Sequence, residues 1–130
     1  MNIAPHHIMV LKFGGSVLRS ERDLAQVVHE VYRHTRRGRR VVAVVSAFEG
    51  RTDALVAQAA GFGDRPDVPA VATLVSTGEL ASASTLALAL SRAGIGATVL
   101  TPAALGLRTT GDPVDADPCE LDLPALHRAL

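Results

Sequence analysis

The sequence has 130 residues, 48% hydrophobic and 3% aromatic, and its 13 basic and 13 acidic side chains give a formal net charge of zero. This length fits one domain or part of a larger one, with a core of Val, Leu, Ile and Ala. The balanced charge gives no support for a nucleic-acid or membrane-surface partner. The single cysteine excludes an internal disulfide and fits a reducing compartment. The sequence has no apolar run of about 18 residues and no secretory signal pattern, so we expect a cytoplasmic protein.

The first half of the chain predicts an alternation of strands and helices. The apolar run 8–13 predicts a buried strand that ends at a double glycine. Residues 20–36 have the apolar spacing of a helix, with a serine cap and acidic residues in the first turn. The run VVAVV at 41–45 predicts a second strand, buried on both sides as in a parallel sheet. A short helix capped by its first residue is predicted over 52–60.

The second half predicts a long helical region and then mostly loops. Residues 61–69 form a predicted surface loop, and 70–93 an apolar helical region that Gly78 interrupts. A third strand is predicted near 97–100, followed by a loop-rich segment over 101–118 and a helix in the last ten residues. This order of elements predicts an α/β fold with a mainly parallel sheet. The loops that follow the strands would then share one edge, where such sheets bind ligands.

Several catalytic motifs are absent from the sequence. A G-x-S-x-G nucleophile elbow fails because Leu18 stands at its last position. No G-x-G-x-x-G follows the first strand, and no G-x-x-x-x-G-K-[ST] occurs. Metal-ligand spacing is also missing among the histidines, which are His6, His7, His29, His34 and His127. The sequence thus argues against metal hydrolysis, classical dinucleotide binding and Walker-type phosphate binding, and predicts no metal site.

The segment KFGGS at 12–16 is the first candidate site. Lys12 is the only lysine of the chain and comes just before Gly14 and Gly15. Glycine N–H groups at a strand end, with those that open the next helix, form an anion-binding concavity, and a lysine adds a compact charge. Phosphoryl transfer depends on this kind of positioning and charge neutralisation. The alternative is that the double glycine is only a turn and Lys12 an edge residue.

Two further groups extend this candidate site. Ser46 follows the second predicted strand, and Gly50 and Thr52 open the next helix. Hydroxyls and a helix N-terminus suit a carboxylate. Glu79, at the glycine break, can hold an ammonium group; the alternative is an exposed residue at a helix start. A phosphate site, a carboxylate site and an ammonium acceptor together match an amino acid that is being phosphorylated.

Four motifs, in this order, resemble the N-terminal part of the aspartokinases within the amino acid kinase family. They are KFGGS from 12, VVSAFEGRTDAL from 44, STGELASASTLALALSRAGIGA from 76 and LGLRTTGDPVDADP from 105. The resemblance extends from about residue 9 to the end. It implies a three-layer α/β/α sandwich of which the chain is the N-terminal half only. Residues 1–130 would be a single partial domain, the amino-acid-binding lobe, without the C-terminal nucleotide-binding lobe.

The resemblance also implies a reaction and its site residues. The γ-phosphoryl group of ATP, with Mg²⁺, would move to the β-carboxylate of L-aspartate in the first step of lysine, threonine and methionine biosynthesis. Lys12 would be catalytic and contact the transferring phosphoryl group. The implied phosphate and nucleotide site contains Lys12, Gly14, Gly15, Ser16 and Ser46, and the implied substrate site contains Ser46, Thr52 and Glu79. We expect a homo-oligomer that has little or no activity as this piece alone.

The sequence departs from the aspartokinase pattern at the first motif. Ser16 replaces the usual threonine, and Val17 replaces the serine that follows it. This opening is also similar to those of glutamate 5-kinases and small phosphate-monoester kinases of the same superfamily. Two alternatives therefore stay open: a kinase for another carboxylate or a phosphate monoester, and a non-catalytic remnant that binds an amino acid or mediates oligomerisation.

Overall fold

The computed structural model describes residues 7–113 and 115–130. His6 and Val114, which belong to the histidine set and to the fourth motif, lie outside the described residues, as do the first five residues. The strands and helices are β1 Ile8–Phe13, α1 Leu24–Thr35, β2 Arg40–Val45, α2 Arg51–Ala60, α3 Val68–Arg92, β3 Arg108–Asp112, β4 Asp115–Glu120 and α4 Leu123–Ala129. This mixture of helices with a parallel strand pair confirms the predicted α/β class.

The two N-terminal strands form the parallel sheet. β1 and β2 pair in register from Ile8 opposite Arg40 to Phe13 opposite Val45. Side chains of one face, including Phe13, pack against the buried residues of α1 and α3. On the other face Val10 is 63% exposed and Val44 46% exposed. The expectation that the second strand is buried on both sides is therefore wrong for the described chain, because both helices cover the same face.

Helix α1 begins as its sequence predicts. A short 3₁₀ turn, Glu21–Asp23, precedes it and carries a capping box. The Ser20 hydroxyl accepts a hydrogen bond from the Arg22 N–H (3.3 Å), and the Asp23 carboxylate accepts one from the Ser20 N–H (3.0 Å). These bonds satisfy N–H groups that have no partner inside a helix. The apolar stripe that faces the core consists of Leu24, Val27 and Val31.

The second helix starts one residue earlier than expected. Its N-terminal cap is Gly50, with φ of 74°, and no side chain caps the helix. The prediction that Thr52 is the cap is therefore wrong, and Thr52 lies inside the first turn. The left-handed backbone at Gly50 is open to glycine without steric cost, which explains this residue in the loop.

Helix α3 is one continuous helix of 25 residues. The predicted break at Gly78 is wrong, because Gly78 is buried in the helix interior. A Cβ atom at this position would lie 3.0 Å from the Ala47 Cβ and 3.3 Å from the Leu55 Cδ1. The missing side chain thus permits close packing against the loop after β2 and against α2.

By length and composition alone, α3 is able to cross a membrane, since an 18-residue window in it has a mean hydropathy of 1.2. Core helices of soluble proteins share this property, so it is weak support for a membrane span. Four residues of α3 face the protein interior at helical spacing: Gly78, Ser82, Leu86 and Leu90. The main core contains Phe13, Leu18, Leu24, Val27, Val31, Leu86 and Leu90.

The C-terminal part differs most from the sequence prediction. Residues 97–100, the predicted third strand, have no regular secondary structure. The segment expected to be loop-rich instead contains an antiparallel hairpin of β3 and β4, with Arg108 opposite Glu120 and Asp112 opposite Asp115. Its Gly, Asp and Pro residues are turn formers, and they obscured the strand signal of the two threonines in β3. The final predicted helix is confirmed as α4.

Candidate functional site

The loop after β1 is a tight turn anchored in the core. The Gly14 carbonyl accepts hydrogen bonds from the N–H groups of Val17 and Leu18, both at 2.9 Å. The Leu18 side chain is only 1% exposed and holds the turn against α1. A Cβ added to Gly14 would have no heavy atom within 4 Å, so packing does not require a glycine there. The double glycine leaves the backbone of this turn open to a ligand.

The loop after β2 lies directly beside this turn. The Ser46 N–H donates to the Phe13 carbonyl (3.1 Å), which continues the parallel ladder by one residue. The Glu49 N–H donates to the Leu18 carbonyl (3.0 Å), so a second bond joins the two loops. The Ser46 Oγ lies 4.0 Å from where a Cβ of Gly15 would be. The C-terminal ends of both strands therefore form one edge, as expected for parallel strands.

Lys12 reaches this edge from β1. It pairs in register with Val44, and its side chain is exposed. Side chains alternate between the two faces of a strand, so Lys12 and Phe13 lie on opposite faces. Phe13 packs against the helices, and Lys12 therefore lies on the face that no helix covers. Its ammonium group forms no ion pair within the described residues. The structure thus brings Lys12, the glycine turn and Ser46 to neighbouring positions.

The third element at this edge is α3. Gly78 packs against Ala47, the residue after Ser46 in the loop. Glu79 follows Gly78 and is exposed in the interior of a continuous helix. The interpretation of Glu79 as a residue at a helix start is therefore wrong. The close approach at Gly78 nevertheless sets the backbone of Glu79 beside the loop that carries Ser46.

The remaining predicted site residues are open to solvent. Ser16 is exposed in the turn after β1, and Thr52 is exposed in the first turn of α2. The Ser46 hydroxyl donates to the carbonyl of Ala47 (3.1 Å). Within the part of the chain that the structure describes, no side chain among the predicted site residues hydrogen-bonds to another. In the same part, no three His, Cys, Asp or Glu side chains converge in a way that suits a metal ion.

Sequence reasoning missed the packing role of two small residues in α3. Gly78 acts as a packing contact, and Ser82, one turn further along α3, is fully buried. The Ser82 hydroxyl has no hydrogen-bond partner among the described residues. The available signal was the spacing of four between two small residues in an otherwise apolar helix, which is typical of a closely packed face.

Comparison of the sequence with known proteins identifies the family of this chain. A sequence profile of the amino acid kinase family matches residues 7–130. The chain belongs to the amino acid kinase family. It is 34% identical over 103 residues to the aspartokinase of Helicobacter pylori, covering 79% of this chain and 25% of that protein. It is 33% identical over 123 residues to the aspartokinase of Geobacillus stearothermophilus, covering 95% of this chain and 30% of that protein.

A solved structure supports the same assignment. The crystal structure of aspartate kinase from Synechocystis superposes with a TM-score of 0.72 and 34% identity, covering 76% of this chain and 17% of that chain. These similarities confirm the predicted resemblance to the N-terminal part of aspartokinases and the predicted fold class. The chain spans between a quarter and a third of the length of the two curated relatives described above.

Proposed function

We propose that this chain is the amino-acid-binding lobe of an aspartokinase-type phosphotransferase. The observation that carries the proposal is the junction of the two strand ends, where the Ser46 N–H donates to the Phe13 carbonyl at 3.1 Å. This bond places the glycine turn beside Ser46, with Lys12 one residue before Phe13. The similarity to aspartokinases supports the reading of this edge as a phosphate and amino acid site.

In the proposed reaction, a β-carboxylate oxygen of L-aspartate attacks the γ-phosphorus of ATP, which is bound as its Mg²⁺ complex. A new oxygen–phosphorus bond forms, the bond to the β-phosphate oxygen breaks, and the products are aspartyl phosphate and ADP. The step brings two anions together, so a fixed cation and oriented N–H groups lower its barrier. Lys12 supplies the cation, and the turn at Gly14, Gly15 and Ser16 supplies N–H groups.

Substrate binding is assigned to the groups on the other two elements. The hydroxyls of Ser46 and Thr52 lie at the loop and helix start that follow β2, where they suit a carboxylate and the nucleotide phosphates. Glu79 offers a carboxylate for the ammonium group of aspartate. In this assignment, the carboxylate of the substrate binds at the loop and helix start after β2, and its ammonium group binds at α3.

The proposal extends to the whole protein of which this chain forms part. We infer that residues 1–130 are a single partial domain and that a second, nucleotide-binding lobe completes the site. The isolated chain is then inactive or nearly so. We further propose a cytoplasmic homo-oligomer that catalyses the first step of lysine, threonine and methionine biosynthesis.

The decisive experiment measures aspartate-dependent release of ADP by a polypeptide that joins this sequence to the rest of a kinase domain. Lys12→Ala is expected to lower kcat by at least about tenfold, which is about 1.4 kcal/mol of transition-state stabilisation. Arg65→Ala, which also removes an exposed cation, is the matched control and should leave the rate unchanged. A fall of less than tenfold for Lys12→Ala contradicts the catalytic role.

The same assay tests the substrate. Glu79→Gln is expected mainly to raise the KM for aspartate, because it weakens binding of the ammonium group in ground state and transition state alike. Val17, exposed in the turn, departs from the aspartokinase pattern and favours the second candidate, a kinase for another carboxylate or a phosphate monoester. Activity with glutamate alone, or with a small phosphate ester alone, would exclude aspartate as the substrate.

A further inference from the structure

A basic groove lies on the solvent side of α1, away from the residues assigned to catalysis. This groove is a shallow depression of about 450 Å³, open to solvent and lined by His29, Tyr32, Arg33, Arg36 and Arg37. Residues 29–40 contain five of the 13 basic side chains of the chain and only one of its 13 acidic ones. A chain without net charge therefore carries a strongly cationic patch at this one place.

Some of these cations are already neutralised. The Glu30 carboxylate accepts from the Arg33 guanidinium (2.9 Å) and lies 3.2 Å from the His34 Nε2. Desolvation acts to raise the pKa of Glu30, but the charge of Arg33 and the hydrogen bonds from His34 and Arg33 outweigh it, so this pKa is lowered and the pair stays ionised. Arg33 therefore contributes little free charge to the groove.

Arg36 and Arg37 keep their charge. Neither guanidinium forms an ion pair with any described carboxylate, and neither donates to a described carbonyl at the end of α1. An interaction of these charges with the dipole of α1 needs no direct bond and leaves the guanidinium donors available. The two side chains line the groove, which leaves two planar hydrogen-bond donors and two positive charges unmatched.

The tyrosine gives the groove a flat wall. Tyr32 is 42% exposed, and the guanidinium carbon of Arg36 lies 5.7 Å from the centre of its ring. This cation–π contact favours one orientation of the arginine, so less side-chain entropy is lost when it binds a ligand. Arginine also binds phosphate oxygens in pairs, which a lysine does not.

We propose that this groove binds a polyphosphate anion, at a site separate from the proposed phosphate site at the sheet edge. The C-terminal end of α1 carries about half a unit of negative charge, which the two unit charges of Arg36 and Arg37 exceed. Two adjacent guanidinium groups, each able to bind a phosphate group through paired hydrogen bonds, match a ligand that carries more than one phosphate group. The shared chemistry is a chain of two or three phosphates, either free or as part of a nucleotide.

The chain carries its own probe for this test. Tyr32 is its only tyrosine, and the sequence has no tryptophan, so its tyrosine fluorescence reports on the groove alone. Sodium tripolyphosphate, added to the full chain at constant ionic strength, is expected to change this fluorescence in a saturable way. Arg36→Gln with Arg37→Gln should weaken the apparent affinity by roughly tenfold or more.

Two controls separate the groove from other sources of the signal. Arg65→Gln with Arg92→Gln removes the same amount of charge from exposed positions elsewhere and should change the affinity by less than about twofold. Lys12→Ala should leave the response unchanged, because it removes only the sheet-edge cation. Circular dichroism of each variant, compared with that of the parent chain, shows whether the helices are intact. A milder variant, Arg36→Lys with Arg37→Lys, keeps both positive charges.

The outcomes are clear-cut. The proposal is overturned if no saturable change occurs, if chloride at equal ionic strength gives the same change, or if the response survives in the Arg36 and Arg37 variant. Loss of the response in Lys12→Ala also overturns it. Phosphorus NMR with pyrophosphate and ADP then identifies the source: tighter binding of ADP assigns a nucleotide, and equal or weaker binding of ADP assigns the phosphate chain only. Failure of the kinase proposal would not affect these results.

Discussion

The N-terminal unit, residues 8–95, and the C-terminal segment, residues 101–130, are built on different physical terms. All ten buried hydrophobic residues of the described chain lie between Phe13 and Leu90. The C-terminal segment contains the paired strands β3 and β4 and a capped helix, yet none of its described residues is buried. Local hydrogen bonds and turn residues therefore suffice to define secondary structure, whereas burial of apolar surface supplies most of the stability.

The strands of the C-terminal segment make their main contacts within the segment. β3 and β4 pack against each other, and the Asp122 N–H donates to the Leu105 carbonyl at 2.8 Å. An isolated hairpin of two strands is marginally stable in water. The candidate site lies wholly in the N-terminal unit, so its geometry depends on the one part of the described chain that has a core.

The largest expected effect tests this contrast directly. Leu18→Ala removes a side chain that is 1% exposed and should lower the free energy of unfolding by about 2–5 kcal/mol. Leu123→Ala is the matched control in the C-terminal segment, where the leucine is 55% exposed, and should cost less than about 0.5 kcal/mol. Urea denaturation followed by circular dichroism measures both. Equal losses would show that the C-terminal segment has a core of its own.

The next effect tests the packing that joins α3 to the site. Alanine is usually more stable than glycine inside a helix, but a Cβ at Gly78 would lie 3.0 Å from the Ala47 Cβ. We therefore expect Gly78→Ala to destabilise the chain by about 1–3 kcal/mol, the usual cost of overpacking. Gly96→Ala is the control, because nothing lies within 4 Å of the added atom. Increased stability of Gly78→Ala would mean that the loop after β2 yields easily.

A third variant is expected to increase stability. Ser82 buries its hydroxyl completely and leaves it without a described partner. Ser82→Ala removes this unsatisfied group and should stabilise the chain by roughly 1 kcal/mol. Thermal unfolding of Ser82→Ala beside Ser84→Ala, which is only half-buried, measures the difference. A loss of stability would show that the hydroxyl has a partner such as a buried water.

The smallest effect concerns pH. The hydrogen bond from the Ser20 backbone has the largest effect on the pKa of Asp23; desolvation opposes it, and the charge and hydrogen bonds of Arg19 add to it, so this pKa is lowered from its ordinary value of 3.8. A carboxyl with a lowered pKa in the folded state stabilises the protein above the unfolded value and loses this contribution as pH falls through the folded value. Urea midpoints should therefore decline below pH 3.8 less steeply in Asp23→Asn than in the parent chain. Parallel curves would contradict the capping box.

The sequence correctly predicted the strands and helices whose apolar pattern and end residues indicate the same structure. β1, β2 and α1 are examples, since each has a continuous or periodic apolar pattern and a recognisable end. It failed where one residue type serves two purposes. A glycine inside a helical pattern predicts a break at Gly78. In the structure Gly78 instead packs against Ala47 and Leu55, which are more than 20 residues away in the sequence.

The candidate site follows the same rule. The convergence of the loops after β1 and β2 was predictable, because parallel strands end at one edge. The interior position of Glu79 in α3 was not, since the continuity of that helix depends on packing. The hairpin of β3 and β4 was also missed, because its turn residues outnumber its strand formers.

The uncovered face of the β1–β2 sheet has a practical consequence. Ile8, Val10 and Val44 form an apolar strip there, and each strand has a single hydrogen-bonded neighbour among the described residues. Open strand edges next to exposed apolar side chains promote aggregation. We therefore expect this polypeptide on its own to aggregate at high concentration. Dilute samples, or a fusion to a solubilising partner, suit the measurements proposed above.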